Sequence, residues 1–250
     1  MSTQMRENFV PVTRPAQWVK GLLIAKLVLS SVSIVVAILQ TEILSMTARS
    51  GSTYVEEIAN ESSAQRILII QFLMGWLEIW TIVVFLIWFF RAHKNLSALG
   101  GRELKYSPGW AVGGFFVPFL SLVRPLQVMR EVWHGSDPSG LERDLGPAGP
   151  SIRNYLNTPS LVGWWWSLFL ITAIIAGFIL PRVSQMQYSP IHTIFEMKIL
   201  NYLIILSDLC EIPYVLVTIT LINRITRWQV QRAERIRHIS SQAQLDTSFD

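Results

Sequence analysis

The chain has 250 residues, of which 51% are hydrophobic and only 15% charged, with a mean hydropathy of +0.38 and a formal net charge of +4. A soluble domain carries about 25% charged residues, so this deficit and several long apolar runs exclude an ordinary soluble fold and point to an integral membrane protein. The basic balance does not mark a nucleic-acid binder, because the Lys and Arg residues flank the apolar runs, as they do in membrane proteins.

Residues 1–17 are polar, contain Pro11 and Pro15, and read as irregular. Gly21 to Leu44 is the first expected transmembrane span. It is too long for a cleaved signal, whose apolar region is about 7–15 residues. A polar loop, 45–66, carries Glu56, Glu57 and Glu61. The second span is Ile67 to Phe90, about 36 Å long as a helix. Leu161 to Leu180 and Ile199 to Ile222 are the third and fourth. A Gly-, Pro- and Ser-rich connector fills 135–159. The basic tail from Asn223 to His238 is expected to extend the last helix out of the membrane, and the last dozen residues of the tail 223–250 are expected to be disordered. No internal repeat or soluble domain interrupts the single polytopic domain.

Between the second and third spans lies an apolar but broken stretch, 107–134. Its core, Trp110 to Val123, reaches only about 21 Å as a helix, short of the roughly 30 Å of bilayer hydrocarbon. Ser107 suits an N-cap and Pro108 the first helical position. Gly109, Gly113 and Gly114 would let another backbone approach, and Pro118 would end or kink the first helix. After Pro125, Leu126, Met129 and Trp133 repeat at helical spacing with Arg130 and Glu131 off that face, and Gly135 suits a C-terminal cap. The fold expected is therefore all-α: four transmembrane helices plus a Pro/Gly-broken helical pair, re-entrant or interfacial.

Orientation follows from the positive-inside rule. With four spans, sixteen of the 21 Lys and Arg residues fall on the side that holds both termini. That side is the cytoplasm, and the expected location is the inner (plasma) membrane. Eight of the ten tryptophans fall near the same side: Trp18, Trp88, Trp110, Trp133, Trp164, Trp165, Trp166 and Trp228. They read as interfacial anchors. Arg224, Arg227 and Arg232 in the tail read as contacts to anionic lipid headgroups.

The runs WFFRAHKNLSALGG and YSPGWAVGGFFVPFLSLVRPLQVMREVW resemble a bacterial membrane family known as domain of unknown function 4328. The resemblance rests on Trp88, Arg91, Asn95, Leu96, Ser107, Pro108, Gly109, Trp110, Ala111, Val112, Gly113, Pro118, Pro125 and Glu131, and on the start of the third span, Trp164 to Trp166. It covers roughly residues 18 to 225. Where members often carry tryptophan and asparagine, this chain has Phe115, Phe116 and Ser121. The resemblance implies a membrane location and names no activity.

Three carboxylates fall inside expected spans: Glu78, Asp208 and Glu211. A charge at a helix centre costs about 2.5–3.5 kcal/mol on insertion scales, so these three form the candidate ion or proton site. Helical spacing places Asn201, Asp208, Glu211 and Thr218 on one stripe and Gln71, Gly75 and Glu78 on another. Lys26, Ser30, Ser33, Ala37 and Gln40 form a third, and Lys26 itself reads as a snorkelling lysine. Stripes of this kind face a bundle interior. Pro213 frees the carbonyl of Leu209, one residue from Asp208.

Cys210 is the single cysteine, so an internal disulfide is impossible. His93, His134, His192 and His238 share no metal-ligand spacing. Neither a nucleophile–base pair nor a phosphate loop is present. No enzyme activity, cofactor or metal is therefore expected. The leading expectation is a scaffold or regulatory membrane protein, and the alternative is a proton- or cation-linked transporter or channel subunit. The expected partners are the bilayer, with anionic lipid, and a second copy or another membrane protein.

Overall fold

A computed structural model describes residues 9–50, 53–101, 104–141, 159–187 and 194–246. All regular structure among the described residues is helical. The helices are α1 (Thr13–Ser50), α2 (Thr53–Ala98), α3 (Pro108–Gly113), α4 (Arg124–Ser136), α5 (Ser160–Gln187) and α6 (Ile194–Asp246), with 3-10 turns at Leu120–Leu122 and Pro138–Gly140. Four helices are long and apolar enough to cross a membrane, over Thr13–Met46, Phe72–Ala98, Ser160–Phe178 and Phe195–Gln242. The chain is thus an all-α, multi-pass membrane protein.

The long helices outrun the expected spans. α1 starts at Thr13, not after residue 17, because Pro15 sits in the first turn, where its missing N–H costs nothing. At its other end Arg49 lies in the last turn, where a cation complements the helix dipole. The loop expected over 45–66 is helical from Thr53 onward. α6 has 53 residues, about 80 Å at the helical rise, well beyond the hydrocarbon thickness. It continues through Asp246, so most of the tail expected to be disordered is helix. Most of the connector 135–159, the side chains of Glu56, Glu57 and Glu61, and the segment 1–8 lie outside the described residues.

The chain divides into two compact units. One comprises Met1–Lys20, Ile82–Trp166 and Thr218–Asp250; the other comprises Gly21–Thr81 and Ser167–Val217.

The second of these units is turned inside out relative to a soluble protein. Val28, Val32, Val35 and Ile38 of α1 and Phe72, Trp76, Ile79 and Trp80 of α2 are exposed. Lys26, Ser30, Ser33 and Gln40 are each no more than 4% exposed. In water this arrangement would be ruinous. In lipid an apolar exterior is the solvated one, while polar groups find partners only inside. Ala37 is buried with them, so the α1 stripe faces inward as its spacing predicts.

The other unit is built on aromatic packing. Phe85 lies 5.7 Å from Trp88, 5.8 Å from Phe89 and 6.1 Å from Trp165, ring centre to ring centre, and Phe115 closes on Phe89 edge-on at 5.7 Å. Trp88, Trp133, Trp165 and Trp166 are buried here. These four are core residues and not the interfacial anchors expected. Trp18, Trp110 and Trp164 remain exposed.

The stretch 107–134 contains two short helices with a break between them. Ser107 caps α3, its Oγ accepting from the Trp110 N–H at 3.4 Å, and Pro108 opens the helix. The break comes earlier than expected. α3 ends at Gly113, and Pro118 lies in the connector beside Phe119, whose φ of 64° is a conformation L-residues avoid. Of the three glycines, only Gly114 is closely approached: a Cβ there would sit 2.9 Å from Arg124 Cβ. Gly135 is not a cap, because α4 runs to Ser136 and Asp137 takes that position. Instead Leu96 packs on Gly135, where a Cβ would meet Leu96 Cδ2 at 2.9 Å. The buried face of α4 includes Val128, Met129, Glu131 and Val132. Glu131 therefore points inward, contrary to the face expected from Leu126, Met129 and Trp133.

Candidate functional site

Two of the three carboxylates, Glu78 and Glu211, converge on one lysine. Lys26 Nζ bonds to Glu78 Oε2 and pairs with Glu211 Oε1, joining α1, α2 and α6. One turn further along α1, Ser30 Oγ donates to Glu211 Oε2 at 3.0 Å. Ser33 hydrogen-bonds the Asp208 carboxylate. Further along the same stripe, Asn201 Nδ2 donates to Thr41 Oγ1 at 3.2 Å. The α1 stripe thus supplies a cation and two hydroxyls to carboxylates from two other helices.

Lys26 does not snorkel. Its side chain is 6% exposed, against 20% for Glu211 and 47% for Glu78. The stripe spacing placed it inside, but nothing in the sequence names the glutamates that meet it. One ammonium faces three carboxylates counting Asp208, so the cluster keeps an excess of negative charge when all are ionised. Asp208 is 8% exposed, and among the described residues its Oδ2 has no hydrogen-bond partner. Gly75 has open space where a Cβ would lie, and the side chain of Gln71, on the same α2 stripe, lies outside the described ones.

A second polar centre, in the aromatic unit, carries little warning in the sequence. Gln229 of α6 is fully buried. Its Nε2 donates to the Ala92 carbonyl at 2.8 Å and to Ser136 Oγ at 3.0 Å, and its Oε1 accepts from Asn95 Nδ2 at 3.1 Å. Asn95 also clamps the N-terminal segment, accepting from Val10 N–H at 2.9 Å and donating to Val10 O at 2.8 Å. His93 Nε2 lies 3.0 Å from Glu131 Oε2, while Glu131 Oε1 accepts from the Lys105 N–H. Trp88 Nε1 donates to Thr226 Oγ1 at 3.2 Å. All of these bonds join one element to another, which is how a buried polar network specifies one packing.

Arg232 belongs to this centre and not to the lipid surface. It is fully buried, with Nε donating to Leu99 O at 2.9 Å and Nη1 to Asp137 O at 2.7 Å. The signal was present: Ile222, Ile225, Gln229 and Arg232 recur at helical spacing, and all four are buried. The density of arginines hid it. Arg224 is exposed, stacked over Trp133 at 5.1 Å and Trp228 at 4.8 Å, and Arg227 is also exposed.

The residues that carry the family resemblance gather largely in this unit. Trp88, Asn95 and Pro125 are buried, Arg91 is half-buried, and Ser107, Gly109, Trp110 and Pro118 are exposed, with Pro108 and Gly113 between. A family profile described as "Domain of unknown function (DUF4328)" matches residues 52–227. The chain belongs to this family. No curated protein and no solved structure matches it. Within this DUF4328 chain, the matched region holds Glu78, Asp208 and Glu211 but stops short of Lys26, Gln229 and Arg232. Their partners, from Glu78 on α2 through Leu99 and Asp137 to Glu211 on α6, lie inside it.

Proposed function

We propose that this chain is a non-enzymatic scaffold or regulatory protein of the inner (plasma) membrane. In this reading it crosses the bilayer four times and keeps both termini in the cytoplasm. The stretch 107–134 stays on the cytoplasmic side, dipping into the leaflet or lying along it. Its partner is another membrane protein or a second copy of the chain. The Lys26 contact with both Glu78 and Glu211 carries the proposal. Here the protein supplies its own counter-ion, so the carboxylates fix three helices in one arrangement without a bound ligand. Buried ionic groups contribute more to choosing a single arrangement than to net stability. The distribution of basic residues supports the orientation.

A second reading, a proton- or cation-linked transporter or channel subunit, is favoured by one observation. Asp208 is buried with a carboxylate oxygen left over, and such groups mark ion and proton paths in membrane proteins. One experiment separates the two. The full chain is reconstituted into vesicles, and proton and potassium leak are measured with fluorescent reporters. The scaffold reading predicts leak at the protein-free level. Flux above that level, abolished by Asp208→Asn, would replace it with the transport reading.

A further inference from the structure

An open groove of about 510 Å³ lies in the aromatic unit, between α2 and α3. Its volume is in the range of small-molecule sites. The walls are apolar: Ile87 and Phe90 on one side, Val112 on the other, with Val10 at its edge. Arg91 and Lys94 also line it, one turn apart on α2. Neither takes part in an ion pair among the described residues. Asn95 fixes Val10 through two hydrogen bonds. On the facing wall, Gly109 has no atom within 4 Å of where its Cβ would lie.

The order of residues along α2 supplies the chemistry. Apolar side chains precede two cations at the end of an apolar membrane helix, so a ligand that fits must be apolar at one end and anionic at the other. We propose that the groove holds one anionic glycerophospholipid. An acyl chain lies against Ile87, Phe90 and Val112, and the phosphate and anionic headgroup meet Arg91 and Lys94. This is a defined site, distinct from the general attraction of the α6 arginines to a charged surface. It does not depend on the scaffold reading.

The test is competition between lipids, read by native mass spectrometry of the intact chain. Protein is equilibrated with equal amounts of phosphatidylglycerol and phosphatidylcholine carrying the same acyl chains. One tightly retained phosphatidylglycerol per chain is expected for the wild type. Arg91→Gln with Lys94→Gln should cut the preference on the order of 30-fold, because each basic residue near a membrane surface contributes about 1 kcal/mol toward anionic lipid. Gly109→Leu puts its Cβ into open space on the groove wall, and should lose the retained lipid while eluting as a normal folded species. Equal retention of the two lipids by the wild type would overturn the proposal without recourse to any variant. So would undiminished phosphatidylglycerol retention in the charge-neutralised double variant or in Gly109→Leu.

Discussion

Lys26→Met is expected to destabilise the protein by about 3 kcal/mol, read as a fall of roughly 6–12 °C in the melting temperature in detergent. Methionine fills a similar volume, so packing changes little. What changes is charge: Glu78 and Glu211 lose the ammonium that lies between them. Breaking a buried pair by removing one partner costs about 3–5 kcal/mol. The low end applies because the Glu78 side chain is 47% exposed in the isolated chain. Single domains are stable by only about 5–15 kcal/mol, so the loss is severe. The control is the triple substitution Lys26→Met, Glu78→Gln, Glu211→Gln. It removes the charges together and should recover most of the lost stability. A Lys26→Met protein that melts with the wild type would show that the cluster does not hold the helices.

Arg232→Met should cost about 2–4 kcal/mol, while Arg227→Met should stay within about 0.5 kcal/mol of wild type. The two arginines are five residues apart on one helix and look alike in sequence. Arg232 is fully buried and donates to Leu99 O and Asp137 O, at the ends of α2 and α4. Methionine would leave both carbonyls without that donor. Hydrogen bonds to charged groups are worth about 1.5–3 kcal/mol each, and neighbours in one network do not add fully. Thermal melting of both variants checks the contrast. Equal, small effects would return Arg232 to the lipid surface.

What could be read from the sequence followed from one-dimensional periodicity. Four apolar runs became four helices because span length is set by bilayer thickness. The α1 stripe from Lys26 to Gln40 was found because buried polar positions recur with the helical repeat. Ser107 and Pro108 marked a helix start because capping is local chemistry.

The misreadings share a cause: each depended on which elements meet. Glu131 looked exposed until α4 was placed against His93 and Lys105. Gly135 looked like a cap until Leu96 was found packed on it. Arg232 read as a lipid contact, and Gln229 drew no reading, because their partners come from residues 92 to 137, far away in sequence. Lys26 was expected to snorkel, because the glutamates that hold it lie 52 and 185 positions further along the chain. The tryptophans were expected at the interface from their place in sequence, but four of the eight pack inside.

The most direct test of the account is compartment mapping by cysteine labelling. Cys210 is the single native cysteine, so Cys210→Ser provides a clean background for Ser2→Cys, Ser107→Cys and Asp250→Cys. An impermeant maleimide applied to intact cells should leave all three unlabelled, and the same reagent on inside-out vesicles should label all three. Labelling of Asp250→Cys from outside intact cells would contradict the proposed topology: without labelling of Ser2→Cys it would mean an odd number of crossings, and with it an inverted chain.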